Sequence, residues 1–434
     1  MARFCAPLAA VNPDPFVASI PGSKSLTNRA LVLAAQRTGE TYVRGALHCD
    51  DTDYLASCLN CFEGLTIQTT LDGYRVVRRP GPLRAPAADL FVGGAGTPAR
   101  FLLSFAAMAQ GESVICGNKR LSERPMGDLL RAFDRIGVRY SCLGEPDRLP
   151  IRVRGSAISA RHWKIAGDTS SQFTSSLLLL AAQQPVGPVT VEVEGKLVSR
   201  PYVEMTRRML EECGINIERK GPDCFVVAPG QPKTDSIEIE ADASGMSYFL
   251  AAAALTGSCV VIPNIGGGSA QGDLGFARVL NDMGCDLTLR RDRIEIKGGD
   301  LRAVEIDMEE MPDTVLTLSA VAAMARGTTV ITNIANLRLK ESDRIHAAVT
   351  ELRRLGVPAE EGPDWIKIAP QGPIRSASIQ TYDDHRVAMS FALLGLLHAG
   401  IQIENAECVA KSFPDFWAEL ERFRTHHERN RHAA

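Results

Sequence analysis

Apolar positions in this chain come in blocks that recur. Six segments open on small or acidic residues and pass into an Ala/Leu-rich stretch. They are SKSLTNRALVLAA from Ser23, GAGTPARFLLSFAA from Gly94, TSSQFTSSLLLLAA from Thr169, DASGMSYFLAAAAL from Asp242, DTVLTLSAVAAMA from Asp313 and DHRVAMSFALLGL from Asp384. Their starts lie 71, 75, 73, 71 and 71 residues apart. Each stretch is apolar on nearly all sides, which predicts a helix buried in the core of its own unit.

A second marker keeps the same period. A polar, amphipathic helical pattern ending in glycine follows each of the first five blocks, at Gly64, Gly137, Gly214, Gly284 and Gly356, spaced by 73, 77, 70 and 72. Glycine there suits the left-handed position just past a helix. Strand-like runs come next, such as VVIPNI, DLTLRRDRIEIK and TTVITNI. Six α/β units of about 72 residues fill the 434-residue chain. Three units to a domain predict two domains, with the boundary in the stretch 230–240.

Composition narrows the function. Forty-eight basic and 51 acidic residues leave a net charge of −3. That excludes a basic surface for nucleic acid. Charged residues at 23% and hydrophobic ones at 45% are globular values. The longest apolar stretches, such as that from Tyr248 to Ile262, are broken by Thr256, Gly257 and Ser258 and are too short to span a bilayer. The opening MARFCAPLAAVNPDPF has no secretory apolar core. Eleven cysteines without framework spacing read as reduced thiols, and the expected compartment is the cytoplasm. Cys58 and Cys61 form a lone CxxC, expected to be buried small hydrophobes in a helix. The end FRTHHERNRHAA is expected to fray rather than to bind metal.

The informative polar residues cluster where the apolar helices begin. PGSKSLTNRA brings Lys24, Ser25 and Arg29 to a helix N-terminus, whose free N–H groups attract phosphate or carboxylate. A simple cap with solvated charges would look the same. GGAGTPAR is glycine-rich but lacks the GK[ST] ending of a P-loop, and DTSSQF offers Ser170, Ser171 and Gln172 at a third start. In the second half, Asp313, Asn336, Lys340, Glu341, Arg344, Arg386 and Lys411 fall at comparable points of the repeat, as do Arg124 and Arg200 earlier. Convergence would make a cationic site with a few carboxylates, fit for small substrates bearing phosphate and carboxylate groups. Carboxylates there can serve as bases, and a lysine as an acid. No metal-ligand cluster or Ser-His-Asp spacing appears, and Cys116, in a strand-like run, reads as core packing.

These residues resemble one family in particular, 5-enolpyruvylshikimate-3-phosphate (EPSP) synthase. PGSKSLTNRALVLAA, the AGT of GGAGTPAR, RPMGDLL, GDTSSQF, LVSRPY, Pro312-Asp313, LKESDR and DDHRVAM match its motifs in order, from Pro21 to Pro414. The resemblance implies an α/β fold of two similar domains, each of three βαβαββ repeats with buried core helices, and an active site in the cleft between them. The first domain would be 22–240, and the second 1–21 plus 241–434. The implied reaction transfers the enolpyruvyl group of phosphoenolpyruvate to the 5-hydroxyl of shikimate 3-phosphate by addition and elimination. Phosphate is released on the pathway to chorismate and aromatic amino acids. Shikimate 3-phosphate would be held by Lys24, Ser25, Arg29, Ser170, Ser171, Gln172, Ser199, Tyr202, Asp313, Asn336 and Lys340. Phosphoenolpyruvate would meet Lys24, Gly96, Arg124, Gln172, Arg344, Arg386 and Lys411. Asp313, Glu341 and Lys24 would be catalytic: Asp313 takes the hydroxyl proton, and Glu341 or Lys24 protonates the methylene carbon. No metal or organic cofactor, no nucleic acid and no membrane is implied, and a monomer is expected.

Three departures bear on inhibition. Gly94 stands where the family usually has Asn, Pro98-Ala99-Arg100-Phe101 replaces a small residue, Met, Arg and Pro, and Arg200 replaces a common Lys. Glyphosate occupies the phosphoenolpyruvate site in this family, so altered inhibition with the reaction retained is expected. The sister transferase acting on UDP-N-acetylglucosamine would need a cysteine closer before Arg124 than Cys116. A non-catalytic phosphate-binding homologue would have lost Asp313, Glu341 or Lys24. An RNA-end-processing enzyme would need an ATP site and a histidine nucleophile.

Overall fold

The structure is a computed structural model that describes residues 1–185 and 187–428. The chain divides into two compact units, one of Gly22–Glu240 and one of Met1–Pro21 with Ala241–Ala434. The six apolar blocks become six core helices: Lys24–Gln36, Gly96–Ala106 and Ser171–Ala181 in the first unit, then Ala243–Thr256, Val315–Ala322 and His385–Ala392 in the second. In the fourth, every residue from Ala243 to Leu255 is buried, as expected of a helix without a polar face. Four of the six starts are set by a side-chain cap. Ser23, Ser170, Asp242 and Asp384 are N-caps whose side chains accept backbone N–H bonds. The fifth differs from expectation: Asp313 lies in a 3-10 turn, Pro312–Thr314, and the α-helix begins only at Val315.

Each core helix is served by a small sheet built to one rule. In the first unit the sheet of Gly39–Arg44 pairs parallel with Ser236–Glu238 on one side. On the other it runs antiparallel to Gly73–Arg78, which continues to Leu65–Thr70. The sheets around Gly111–Cys116 and Val189–Glu194 repeat that pattern. Alternation does the positioning: in VTVEVE, Val189, Val191 and Val193 are buried while Thr190, Glu192 and Glu194 are half-exposed. In the second unit, Phe16–Val17 supplies the parallel edge of the sheet around Cys259–Pro263. Arg3–Phe4 closes the last sheet antiparallel to Ile401–Ile403. The first residues of the chain are thus structural members of the unit formed by its second half.

The glycines that close the amphipathic helices, Gly137, Gly214, Gly284 and Gly356, all have left-handed φ between 79 and 112°. Neighbouring core helices within a unit touch through repeat-equivalent residues. The hydroxyls of Ser104 and Ser176 bond across 72 residues, Ser247 and Thr317 across 70, and Thr317 and Ser390 across 73.

Two expectations are corrected. FRTHHE is not frayed: Phe416–Glu428 is a helix that buries Phe423 and His427, and His427 Nδ1 accepts the Asn12 N–H at 3.0 Å. The rest of that end, 429–434, lies outside the described residues. Of the CxxC pair, Cys58 is buried in the helix Asp50–Asn60, but Cys61 follows the helix and is exposed. Among the described residues no helix is long and apolar enough to cross a membrane.

Candidate active site

In the unit Gly22–Glu240 the polar residues gather at the starts of the three core helices and of the helix Arg200–Glu212, which pack on one another. Lys24 opens the first core helix, and its Nζ lies 3.0 Å from Asp51 Oδ2, with both side chains largely shielded from water. Arg29, one turn further in, is wholly buried. It donates to Thr206 Oγ1 at 2.7 Å, to the carbonyls of Ser25 and Tyr202 at 2.8 and 2.9 Å, and to Ser175 Oγ at 3.2 Å. Burial pushes its pKa down to about 10, with Tyr202 opposing, so the group stays a cation. Its guanidinium also sits 5.4 Å from the centre of the Phe101 ring. Four of its five N–H groups are therefore spent inside the protein, tying the first helix to the third and to the segment carrying Ser199 and Tyr202.

The third core helix starts at the Ser170 cap, with Ser171 and Gln172 in its first turn. Gln172 Oε1 accepts a bond from Arg100 of the second core helix, and Arg100 lies 5.0 Å over the Phe173 ring. Ser199 occupies left-handed backbone, φ 51°, as it turns the chain into the helix at Arg200. Arg200 itself reaches away to Asp223 at 2.6 Å. Gly96 begins the second core helix with the Arg124 guanidinium against it: a Cβ there would fall 2.8 Å from Nη1. Both residues are buried. Helix starts, hydroxyls and Lys24 together offer the kind of donors that an anion would need.

In the other unit the charges interlock. Arg344 opens the helix Arg344–Arg354 and is almost fully buried. Its Nη1 bonds Asp313 Oδ1 at 3.0 Å and its Nη2 bonds Glu341 Oε2 at 3.0 Å. Asp384 takes Nε at 2.8 Å and Nη2 at 3.2 Å. Arg386 Nη2 bonds Asp313 Oδ2 at 2.8 Å, and Lys340 Nζ lies 3.6 Å from Asp313 Oδ1. Burial alone would raise the Asp313 pKa, but Arg386, Lys340 and Arg344 outweigh it and hold the carboxyl well below the usual range. Arg344 shows the converse: burial lowers it, while Asp384, Glu341 and Asp313 raise it further. Asn336 lies half-buried in the 3-10 turn Ala335–Leu339 just before Lys340, and Lys411 ends the turn Ala406–Lys411 that packs on the sixth core helix.

Sequence reasoning pictured cations with a few carboxylates. Around Arg344 the structure sets Lys340, Arg344 and Arg386 against Asp313, Glu341 and Asp384. It also adds residues the sequence did not single out: Asp51 beside Lys24, Arg100 beside Gln172, and Asp384, which is both helix cap and twofold partner of Arg344. Asp384 carried a signal in the helix-start motif DDHR and Arg100 in GGAGTPAR, whereas Asp51 carried none. Cys116 ends the strand Gly111–Cys116, and burial and Asp89 raise its thiol pKa, in keeping with packing rather than nucleophilic work.

Comparison with known proteins agrees in one direction. The sequence profile described as EPSP synthase (3-phosphoshikimate 1-carboxyvinyltransferase) matches residues 17–420. A 3-phosphoshikimate 1-carboxyvinyltransferase of Trichormus variabilis is 41% identical over 406 residues, covering 92% of this chain and 94% of that protein. One from Klebsiella pneumoniae is 39% identical over 414 residues, covering 94% and 96%. The solved EPSP synthase of Acinetobacter baumannii superposes with a TM-score of 0.81 at 27% identity, covering 97% of both chains.

Proposed function

The chain belongs to the EPSP synthase family, and from that premise we propose how its residues carry the family's reaction. The enolpyruvyl group of phosphoenolpyruvate moves to the 5-hydroxyl of shikimate 3-phosphate, and phosphate leaves. The set at Lys24, Ser25, Ser170, Ser171 and Gln172 binds the phosphate of shikimate 3-phosphate, and Arg29, Ser199 and Tyr202 shape that set from behind. Asp313, Asn336 and Lys340 take the ring hydroxyls. Gly96, Arg124, Arg344, Arg386 and Lys411 receive phosphoenolpyruvate. A monomer in the cytoplasm, working on these two small anions without a cofactor, is the setting we propose.

The observation that carries the mechanism is the sharing of Arg344 and Arg386 between Asp313 and its neighbours. These cations depress Asp313, which makes it a weak base. An incoming carboxylate or phosphate competes for the same guanidinium groups. As it draws them off, Asp313 regains proton affinity and can accept the proton of the 5-hydroxyl while the oxygen attacks C2 of phosphoenolpyruvate. Glu341, bonded to Arg344 by the same fork, is released by the same exchange and can hold the proton that goes to the methylene carbon. The tetrahedral adduct then loses a proton from its new methyl group back to Glu341 and expels phosphate, whose charge the cations neutralise.

The test is phosphate release from phosphoenolpyruvate with and without shikimate 3-phosphate. Release that depends on shikimate 3-phosphate is expected, and release that ignores it overturns the reading. Glu341→Gln should cut kcat by about 10²-fold or more, the usual worth of a general acid. Undiminished turnover would move that role to Lys24. The departures at Gly94, Phe101 and Arg200 support altered glyphosate inhibition. An inhibition constant equal to that of sensitive relatives would remove that part of the proposal.

A further inference from the structure

One buried carboxyl in the second unit has no part in the reaction as drawn. Asp273 lies in the 3-10 turn Gly272–Leu274, which packs on the fourth core helix and on the turn that carries Asp313. It is enclosed by protein, and Ser244 Oγ, in the first turn of the fourth core helix, donates to its Oδ2. The turn itself is pinned from the preceding residue: Gln271 Nε2 donates to the Ala241 carbonyl at 2.8 Å, and Gln271 Oε1 accepts the Ala243 N–H at 3.0 Å. The neighbouring charges that act on Asp273 are Asp313, Arg386 and, at the helix cap, Asp242. The helix Gly275–Asp282 that follows turns its own charged residues, Arg278 and Asp282, to solvent. A carboxyl held this tightly, with the charges of the base and of one of its cations acting on it, is more than packing requires.

We propose that Asp273 is a positioning residue for the transfer, a second carboxyl whose own ionisation sets how readily Asp313 accepts a proton. The proposal rests on the family reading of Asp313 as base. Its physical basis is charge. Three cations bear on Asp313, and a carboxylate beside it offsets part of their pull, so ionised Asp273 leaves Asp313 the stronger base. Protonated Asp273 withdraws that help. Burial, then the Asp313 charge, raise Asp273 from the usual carboxylate range toward neutrality, against smaller lowering effects from Arg386 and the Ser244 bond. The acid limb of kcat against pH should therefore be centred near Asp273's own ionisation.

The decisive measurement is the kcat–pH profile of wild type, Asp273→Asn and Ser244→Ala, each first shown to unfold cooperatively. Asp273→Asn should abolish the neutral limb and lower the alkaline plateau about tenfold, the effect of roughly one pKa unit on the base. Its KM for phosphoenolpyruvate should be no higher than in wild type. Ser244→Ala removes a bond that favours the ionised form, so its limb should move to higher pH. A role in packing alone would lower kcat at every pH without moving the limb, and profiles that overlay the wild type would overturn the proposal. Where Asp273→Asn does not fold, Ser244→Ala decides. If the wild type itself shows no turnover dependent on shikimate 3-phosphate, the family reading fails separately. Carbon-13 titration of the aspartate carboxyls then decides for Asp273. An ionisation near neutral that falls in Asp313→Asn sustains the coupling, and an ordinary one overturns it.

Discussion

Gly96 shows how a single atom can govern an anion site. An added methyl would lie 2.8 Å from Arg124 Nη1 and 3.0 Å from its Cζ, so the buried guanidinium would have to move. Gly96→Ala should raise the KM for phosphoenolpyruvate about tenfold, the worth of roughly 1.4 kcal/mol of charge-assisted bonding, while leaving the KM for shikimate 3-phosphate unchanged. Steady-state kinetics on both substrates checks it. Much at this scale was legible beforehand. Lys24, Asp313 and Arg386 stood out because charged residues recur at the starts of otherwise apolar helices, and Arg344 stood out in the motif LKESDR. Their pairings did not stand out: Asp384 lies 40 residues from Arg344, and Asp313 lies 73 from Arg386. An ion pair closed over such a distance leaves no local pattern. The balance of charges in the second unit, and with it the depression of Asp313, was invisible for that reason.

Elements, in this chain, are positioned by a few buried polar ties. The loop before the sixth core helix places Tyr382 and Asp383 in left-handed backbone, φ 55 and 56°, which costs energy for residues other than glycine. It is held there by Glu351, from the same helix that carries Arg344: Glu351 accepts Tyr382 O–H at 2.8 Å and the Gln380 N–H at 3.2 Å. The loop then delivers Asp384 back to Arg344. Tyr382→Phe should lower stability by about 1 kcal/mol, the net worth of one hydrogen bond, since Glu351 keeps Arg354 at 2.9 Å and the Gln380 N–H, and should raise the KM for phosphoenolpyruvate as Asp384 loses register. Thermal unfolding and kinetics read the two effects. The helix Phe416–Glu428 depends on a tie of the other kind. Burial, then His426, pushes His427 down to about 4, and its neutral ring accepts the Asn12 N–H. Below pH 6.5 the unfolded chain takes up a proton that the folded ring refuses, so stability should fall as pH drops from about 6.5 to 4. His427→Gln should flatten that part of the Tm–pH curve. A polar stretch with three histidines read as a loose end because its two buried faces, Phe423 and His427, meet the chain's first residues, and no window along the sequence joins them.

The whole molecule follows from how the repeat closes on itself. In the unit Gly22–Glu240 the first sheet takes its parallel edge from Ser236–Glu238, the last strand of that same segment, so all three of its sheets are complete within one continuous stretch. Residues 22–240 expressed alone should therefore fold, with a cooperative thermal transition and native-like circular dichroism, and should lack turnover because Asp313 and Arg344 are elsewhere. The second half has no such independence. Without residues 1–21 the strand Cys259–Pro263 loses Phe16–Val17 and Ile401–Ile403 loses Arg3–Phe4, which uncovers two sheet edges. The core would also lose Phe16, which packs edge-on to Phe423 with ring centres 5.2 Å apart. A fragment of 241–434 should thus aggregate, and a fragment in which 1–21 is rejoined ahead of 241 through a short flexible linker should recover a soluble, cooperatively melting state. Size-exclusion chromatography and melting of the three fragments would test this. A well-folded 241–434 fragment would show that the first residues decorate the unit rather than complete it.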